Sequence, residues 1–480
     1  MPFQFLQLLA VVVAIVAGRA WLLWLAGIEL HFDEAQYWVW SRHLDWGYAT
    51  KGPLTAWLIA ASTAWLGHAE WSVRLPGWLA YGAWLMAMFY FAAEVWQSPR
   101  AGWWAMALGV ATPVYFLLGS IMSTDVFLFL CWTLALWAAH RALYHGCPRA
   151  WLGFGVAVGI GALGKLSIGL LPFFLSGFLL FTATGRAALR TRWFWLGLAM
   201  LLVCMSPVLV WNAQHGWVMV LHEAGHIGDG SPVAHPYHWR DFGEFLAGQW
   251  LALGAILPLL ALPAWLRRPA QPGLRMLWGI ALLTLAFFMF KAMHGKVQPN
   301  WPAPAYIGLL ILFAGQTPVA AWAQRALATG LVLALLASIA LLNTAWLGWQ
   351  GERDPLKKLK HWRAPIAAVA AQATDAQFIL AGYYQLASEL AFYWPQPIPV
   401  YLLGSAQRRI TQYDLWPSVN AEAGRDGVFV NTAPQLPETV ASAFAHCQPM
   451  PPVDAPPFRT LYAWRCAQLR PQAWPQPGWH

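Results

Sequence analysis

The chain has 480 residues, of which 59% are hydrophobic and only 10% charged, and its formal charge is +9. A soluble domain carries about 25% charged residues, so the deficit excludes an ordinary water-soluble globule and assigns the chain to a bilayer. The positive charge does not indicate nucleic acid, because the basic residues are scattered in short segments between apolar runs and form no continuous patch.

In chain order, apolar runs occupy 7–28, 72–96, 102–118, 126–143, 151–163, 168–182, 193–211, 245–266, 277–290, 302–313 and 326–347. A helix needs roughly 20 such residues to cross the hydrocarbon core, so the pattern predicts about eleven transmembrane helices. No small-residue cleavage site follows the first run, which therefore reads as a retained span and not a removed signal peptide. Arg100, then Arg141 and Arg149, then Arg186, Arg190 and Arg192, then Arg267, Arg268 and Arg275, and finally Arg325 fall in alternating loops. The positive-inside rule turns those loops to the cytoplasm. The loops between them face outward and hold Asp33, Glu34, Lys51, Asp125, Lys165, the His-rich stretch 212–241 and residues 291–300. The 34 tryptophans suit the water–lipid interface. Within the first outward loop, 34–43 and 53–66 are aromatic but too short or too broken to span, and read as helices lying in the interface. The turn Asp45-Trp-Gly-Tyr-Ala-Thr-Lys-Gly-Pro joins them.

After residue 348 polar residues, prolines and charges take over and no further span follows. Strands are predicted at 377–380, 399–403 and 427–431 and a helix at 384–392. The expected architecture is an all-α polytopic membrane domain, 1–347, followed by a small α/β soluble domain, 348–480, outside by the span count. Cys447 and Cys466 lie in that tail and can pair if it faces an oxidising compartment.

Ionisable side chains in so apolar a chain are the candidates for chemistry. Asp33 and Glu34 stand where the first span ends. A carboxylate that reaches a hydroxyl or amine proton can act as general base, although Asp33 at a helix start also satisfies simple capping. Neighbouring acids on a helix point in different directions and need not share a role. Lys51 can hold a lipid phosphate or merely snorkel. Lys165, in Gly164-Lys165-Leu166-Ser167, marks a break between two runs and can meet an anion. Asp125, after Ser123-Thr124, reads as a cap or as a second carboxylate that orients an acceptor or helps bind a cation. His222-Glu223-Ala224-Gly225-His226 matches H-E-x-x-H, the zinc-protease spacing, with His235 or His238 as a third ligand. Gly225 weakens the helix that motif needs.

Asp33-Glu34-Ala35-Gln36-Tyr37-Trp38 together with Gly47-Tyr48-Ala49-Thr50-Lys51-Gly52-Pro53-Leu54 resembles the bacterial branch of the protein O-mannosyltransferase superfamily, which includes the aminoarabinose transferase of lipid A. The resemblance continues in Ser123-Thr124-Asp125, in Gly164-Lys165-Leu166-Ser167, in Ser206-Pro207 through Trp211-Asn212-Ala213-Gln214-His215-Gly216-Trp217, in Lys296-Val297-Gln298-Pro299-Asn300-Trp301-Pro302, and in the tail at Tyr384–Leu390. It implies a GT-C-type membrane glycosyltransferase that takes a sugar from a polyprenyl phosphate and passes it to an envelope acceptor (lipid A, another glycan, a lipid or a protein). It further implies Asp33 as base, Asp125 as second acid, Lys51 as donor-phosphate ligand, and Glu34, Lys165 and Lys296 as further substrate contacts. Gly52 departs from the pattern, since relatives often carry a second proline there, and is expected to loosen the turn.

The expected location is the bacterial inner membrane, with site and tail in the periplasm. Nucleotide sugars are expected in the cytoplasm, so an outward site requires a donor that crosses the bilayer, which a lipid phosphate does. No cofactor is legible with certainty, and Asp33, Glu34 and Asp125 can share a divalent cation or work without one. The sugar and the acceptor are not legible. A zinc metalloprotease is one rival. A transporter is another, disfavoured because the acids lie at span ends and no repeat is visible.

Overall fold

The structure is a computed structural model that describes residues 2–225, 238–254, 256–316, 321–349, 353–404, 410–455 and 459–471. It divides into two compact units, one of residues 1–22, 51–55 and 74–341, the other of residues 23–50, 56–73 and 342–480. The second unit thus takes in most of the first loop as well as the tail.

The first unit is helical. Among the described residues, six helices of the chain are long and apolar enough to cross a membrane, Phe5–Leu25, Glu70–Trp96, Thr124–Tyr144, Arg192–Gln214, Pro272–Ala292 and Ala321–Leu342, or up to eight if each of two bent helix pairs counts as a span. Ala150–Gly164 and Ala303–Gly315 are shorter apolar helices. The apolar runs therefore outnumber the helices that span unaided, and the reason is local chemistry. The 102–118 run breaks into Pro99–Ala111 and Pro113–Leu118. Pro113 has no N–H to donate and forces Thr112 into an extended conformation. Carbonyls of the second piece, on Tyr115 and Phe116, accept hydrogen bonds from the buried guanidinium of Arg19, which also lies 3.9 Å from the Tyr81 ring centroid. The 168–182 run ends at Thr182 in a bend of 108° before Ala183–Leu189.

Close packing fixes the Ala150–Gly164 helix. A Cβ at Gly155 would lie 1.9 Å from the Gly197 carbonyl oxygen, and one at Gly159 would lie 2.8 Å from that of Leu201. These small residues let the backbone of Arg192–Gln214 approach where hydrophobicity alone gives helices no reason to associate. At the end of the helix Lys165 is extended, with φ −151° and ψ 119°, and a 3₁₀ turn, Leu166–Gly169, follows.

The second unit is built on a six-stranded sheet. Its strands are β1 (Phe378–Ala381), β2 (Val400–Leu402), β3 (Gly427–Asn431), β4 (Phe444–Pro449), β5 (Val453–Ala455) and β6 (Arg459–Leu469). The order is β2-β1-β3-β6-β4, with β5 also on β6; β1 runs parallel to β2 and β3, and β6 antiparallel to β3, β4 and β5. β1 reads Phe-Ile-Leu-Ala because it is central and covered on both faces. Its alternation sends Ile379 and Ala381 to one core, with Val428, Val430, Leu386 and Leu390, and Phe378 and Leu380 to the other, with Phe429, Phe444 and Trp464. The predicted strands and the tail helix, Tyr384–Tyr393, all form. The hairpin of β4 and β6 places Cys447 opposite Cys466 and joins them in a disulfide. The helix Phe32–Ser41 belongs to this unit and contributes Val39 to the first core.

Candidate active site

In the second unit, the two acids have divided their work. His31 caps the Phe32–Ser41 helix: its Nδ1 accepts from the Asp33 backbone N–H at 3.2 Å, and Glu34 Oε2 accepts from the His31 N–H at 2.9 Å. This capping box occupies Glu34, which is fully buried. Asp33 is released from capping, stays 45% exposed at the side chain, and sits in the first turn, where the helix dipole favours an anion. The entry to the helix is pinned as well. The Leu30 N–H donates to Tyr393 Oη at 2.8 Å, and that hydroxyl donates to Glu70 Oε1 at 2.7 Å. Arg363 donates to the same oxygen at 2.8 Å. The turn that follows is held by Tyr48, stacked on Trp40 at 4.5 Å with its hydroxyl donated to the Trp40 carbonyl.

Beneath these lies an unexpected carboxyl. Glu389, on the Tyr384–Tyr393 helix, is fully buried, and neither side-chain oxygen has a hydrogen-bond partner among the described residues. Burial pushes its pKa well above the usual carboxylate range; Arg459 pulls the other way, while Glu29, Glu34 and Glu70 add to the rise.

In the first unit, Lys51 is set by a close approach. A Cβ on Gly52 would lie 2.1 Å from the Leu163 carbonyl oxygen, so glycine lets the Lys51 turn rest on the end of the Ala150–Gly164 helix. This differs from the looseness expected of it, because the missing side chain brings two backbones together. Lys51 Nζ is 2.6 Å from Glu223 Oε1, and the two side chains are 19% and 23% exposed. Lys165 Nζ donates to Asp125 Oδ1 at 2.9 Å in a nearly dry pair, and Asn300 Nδ2 donates to Asp125 Oδ2 at 3.2 Å. Lys296 is exposed. Lys291 stands with its Nζ 4.7 Å from the Trp301 ring centroid.

Glu223 reaches Lys51 through a built turn. Arg192–Gln214 ends in a turn in which the Asn212 carbonyl accepts from the Trp217 N–H at 2.8 Å. Gly216 and Trp217 both take positive φ, 59° and 60°, and the chain re-enters a helix at Val218–Gly225. The zinc-protease reading assigned Glu223 as a base, whereas here its carboxylate is neutralised by a lysine. Among the described residues no three of His, Cys, Asp and Glu gather as metal ligands. His226 and His235 lie outside the described residues. The partners Glu223 and Asn300 escaped the sequence reading of the site because each is far along the chain from the residue it meets.

Comparison with known proteins places these features. Residues 50–211 match the family described as dolichyl-phosphate-mannose-protein mannosyltransferase. A lipid A galacturonosyltransferase, RgtD, of Rhizobium johnstonii is 28% identical over 315 residues, covering 63% of this chain and 64% of that relative. The chain thus matches a little under two thirds of the relative's length. The undecaprenyl phosphate-alpha-4-amino-4-deoxy-L-arabinose arabinosyl transferase of Pseudomonas aeruginosa is 27% identical, covering 72% of this chain and 67% of that one. The crystal structure of ArnT from Cupriavidus metallidurans bound to undecaprenyl phosphate superposes with a TM-score of 0.65 at 19% identity, over 95% of this chain and 98% of that one. None of these relatives is a protease or a transporter by name. In sequence the chain is similar to these two named glycosyltransferases, and in fold it is similar to ArnT.

Proposed function

We propose that the chain is an inner-membrane glycosyltransferase that moves a sugar from a polyprenyl-phosphate carrier to an envelope acceptor on the periplasmic side. The observation that carries this reading is Lys51, a cation seated by Gly52 against a helix end, in a chain with the fold of a transferase solved with undecaprenyl phosphate. The names of the curated relatives support a sugar as the transferred group and lipid A as the acceptor class. The Cys447–Cys466 disulfide supports an oxidising compartment for the second unit, and the basic alternate loops support the same orientation.

Asp33 is the proton acceptor in this reading. It lies in the first turn of a helix and is exposed, whereas Glu34 is committed to the cap. As the acceptor oxygen attacks the anomeric carbon, its proton passes to the Asp33 carboxylate. The bond from that carbon to the phosphate oxygen breaks on the opposite face, its electrons stay with the phosphate, and configuration inverts. The departing polyprenyl phosphate is a monoester with a second pKa of about 6, so no general acid is needed. Lys51 stabilises the charge that grows on it. Lys165 is already paired with Asp125, so those two serve first as a neutral strut that shapes the site; Lys296 is an outlying contact.

The test is transfer by purified protein supplied with a panel of polyprenyl-phosphate sugars and lipid A. Asp33→Asn is expected to fold and to lose at least 100-fold in kcat, the scale of a removed general base. Lys51→Ala is expected to act on donor use. Full transfer by the Asp33 variant would remove that residue from the chemistry.

A further inference from the structure

Lys51 is not waiting bare for a phosphate. Glu223 Oε1 lies 2.6 Å from its ammonium. The pair joins positions 172 residues apart and is mostly shielded from water, which distinguishes it from an incidental surface contact. Lys165 does not compete for this carboxylate, being bound to Asp125.

We infer that Glu223 is a resident counter-ion that exchanges with the lipid phosphate at Lys51, yielding the lysine when donor binds and reclaiming it when the spent carrier leaves. The inference rests on the donor reading of Lys51 given above. Its logic lies in the charges of the two lipids. A sugar-linked polyprenyl phosphate is a diester with one negative charge, while the product is a monoester carrying about 1.5 to 2. Unopposed lysines would hold the product more firmly than the substrate and retard turnover. A carboxylate poised 2.6 Å from the ammonium offers Lys51 a partner at the moment of release. It also leaves an uncharged polyprenol nothing to exchange with.

The experiment measures binding of undecaprenyl phosphate to the full protein in detergent, with undecaprenol as uncharged control, alongside inhibition of transfer by added undecaprenyl phosphate. Glu223→Gln is expected to tighten undecaprenyl phosphate on the order of tenfold and to make it a correspondingly stronger product inhibitor. Glu223→Asp, which keeps the charge, is expected to stay near the parent. In a Lys51→Ala background the Gln substitution is expected to lose most of its effect. A residue that merely props Lys51 in place gives the opposite sign, because its removal weakens phosphate binding. Unchanged or weaker binding by Glu223→Gln, with Lys51→Ala still impaired, overturns the counter-ion role and leaves the donor reading standing. Unimpaired binding by Lys51→Ala overturns the donor reading, and this inference with it.

Discussion

Gly52→Ala offers a severe test of how Lys51 is positioned. The added methyl carbon would stand 2.1 Å from the Leu163 carbonyl oxygen, 2.6 Å from its carbonyl carbon and 3.0 Å from its Cα. All three are backbone atoms at the end of a helix, so no side chain can rotate away. Restoring ordinary contact requires the turn to retreat by about 1 Å, and overpacking of this kind costs roughly 1–3 kcal/mol. A displacement of that size at a substrate-positioning group costs on the order of 100-fold in rate, or about 2.7 kcal/mol of transition-state stabilisation. The assay is kcat/KM for the polyprenyl-phosphate sugar, with thermal unfolding in detergent as the companion measurement. Gly169→Ala is the control, because a Cβ there meets nothing within 4 Å and the backbone φ is an ordinary −58°. If Gly52→Ala transfers within about threefold of the parent, the close approach does not position Lys51 and the reasoning fails.

Two further perturbations probe charges that the structure has buried. Asp125→Asn leaves the ammonium of Lys165 without its anion in a nearly dry setting and is expected to cost about 3–5 kcal/mol of stability. Asp125→Asn with Lys165→Met is expected to recover part of that loss in a thermal unfolding series. Recovery of none would mean that the pair is not what the unfolding reads. Glu389 makes a pH prediction. Its carboxyl is held above its ordinary value of 4.5 in the folded protein, first by burial. The folded state thus keeps a proton that the unfolded chain gives up. The contribution to stability is fully present below about pH 4.5 and is lost as pH rises toward the folded value, by up to about 1.4 kcal/mol per pH unit. Glu389→Gln removes that slope, so its melting temperature is expected to exceed the parent's increasingly as the pH is raised. Parallel curves for the two proteins would show that Glu389 does not carry the linkage.

What was legible in the sequence divides along physical lines. Composition and the Arg distribution pointed to a membrane protein, and β1 and β3 were legible because central strands are short, unbroken apolar runs. β4 and β6 were not. β6 mixes Arg459, Thr460, Arg465 and Gln468 into an alternation whose buried members go to both cores, and β4 ends in Gln448 and Pro449. The breaks at Pro113 and Thr182 were hidden because an apolar run has the same hydropathy whether or not the helix within it turns a corner. At the site, the residue types were readable and their partners were not. Glu223 drew notice through a zinc-protease pattern five residues long, while its partner, Lys51, lies 172 residues away.

Which charges remain available is itself the argument about chemistry. In an apolar chain an ionised side chain is retained only where something offsets its desolvation. Asp125 and Lys165 offset each other, and Glu34 is spent on the His31 cap. Glu389 has its pKa pushed well above the usual carboxylate range by burial, which eases the cost of burying it. Asp33, 3.6 Å from His31 Nδ1, sits half-exposed in the first turn of a helix, and Lys51 is paired with Glu223. An anionic base and an excess of positive charge are what transfer from a phosphate leaving group requires: one removes a proton from the acceptor, and the other receives the charge that the carrier gains. A hydrolase working through paired carboxylates would instead need a second acid kept protonated beside the first. The carboxyl whose pKa is pushed up here, Glu389, is fully buried, where a substrate cannot reach it.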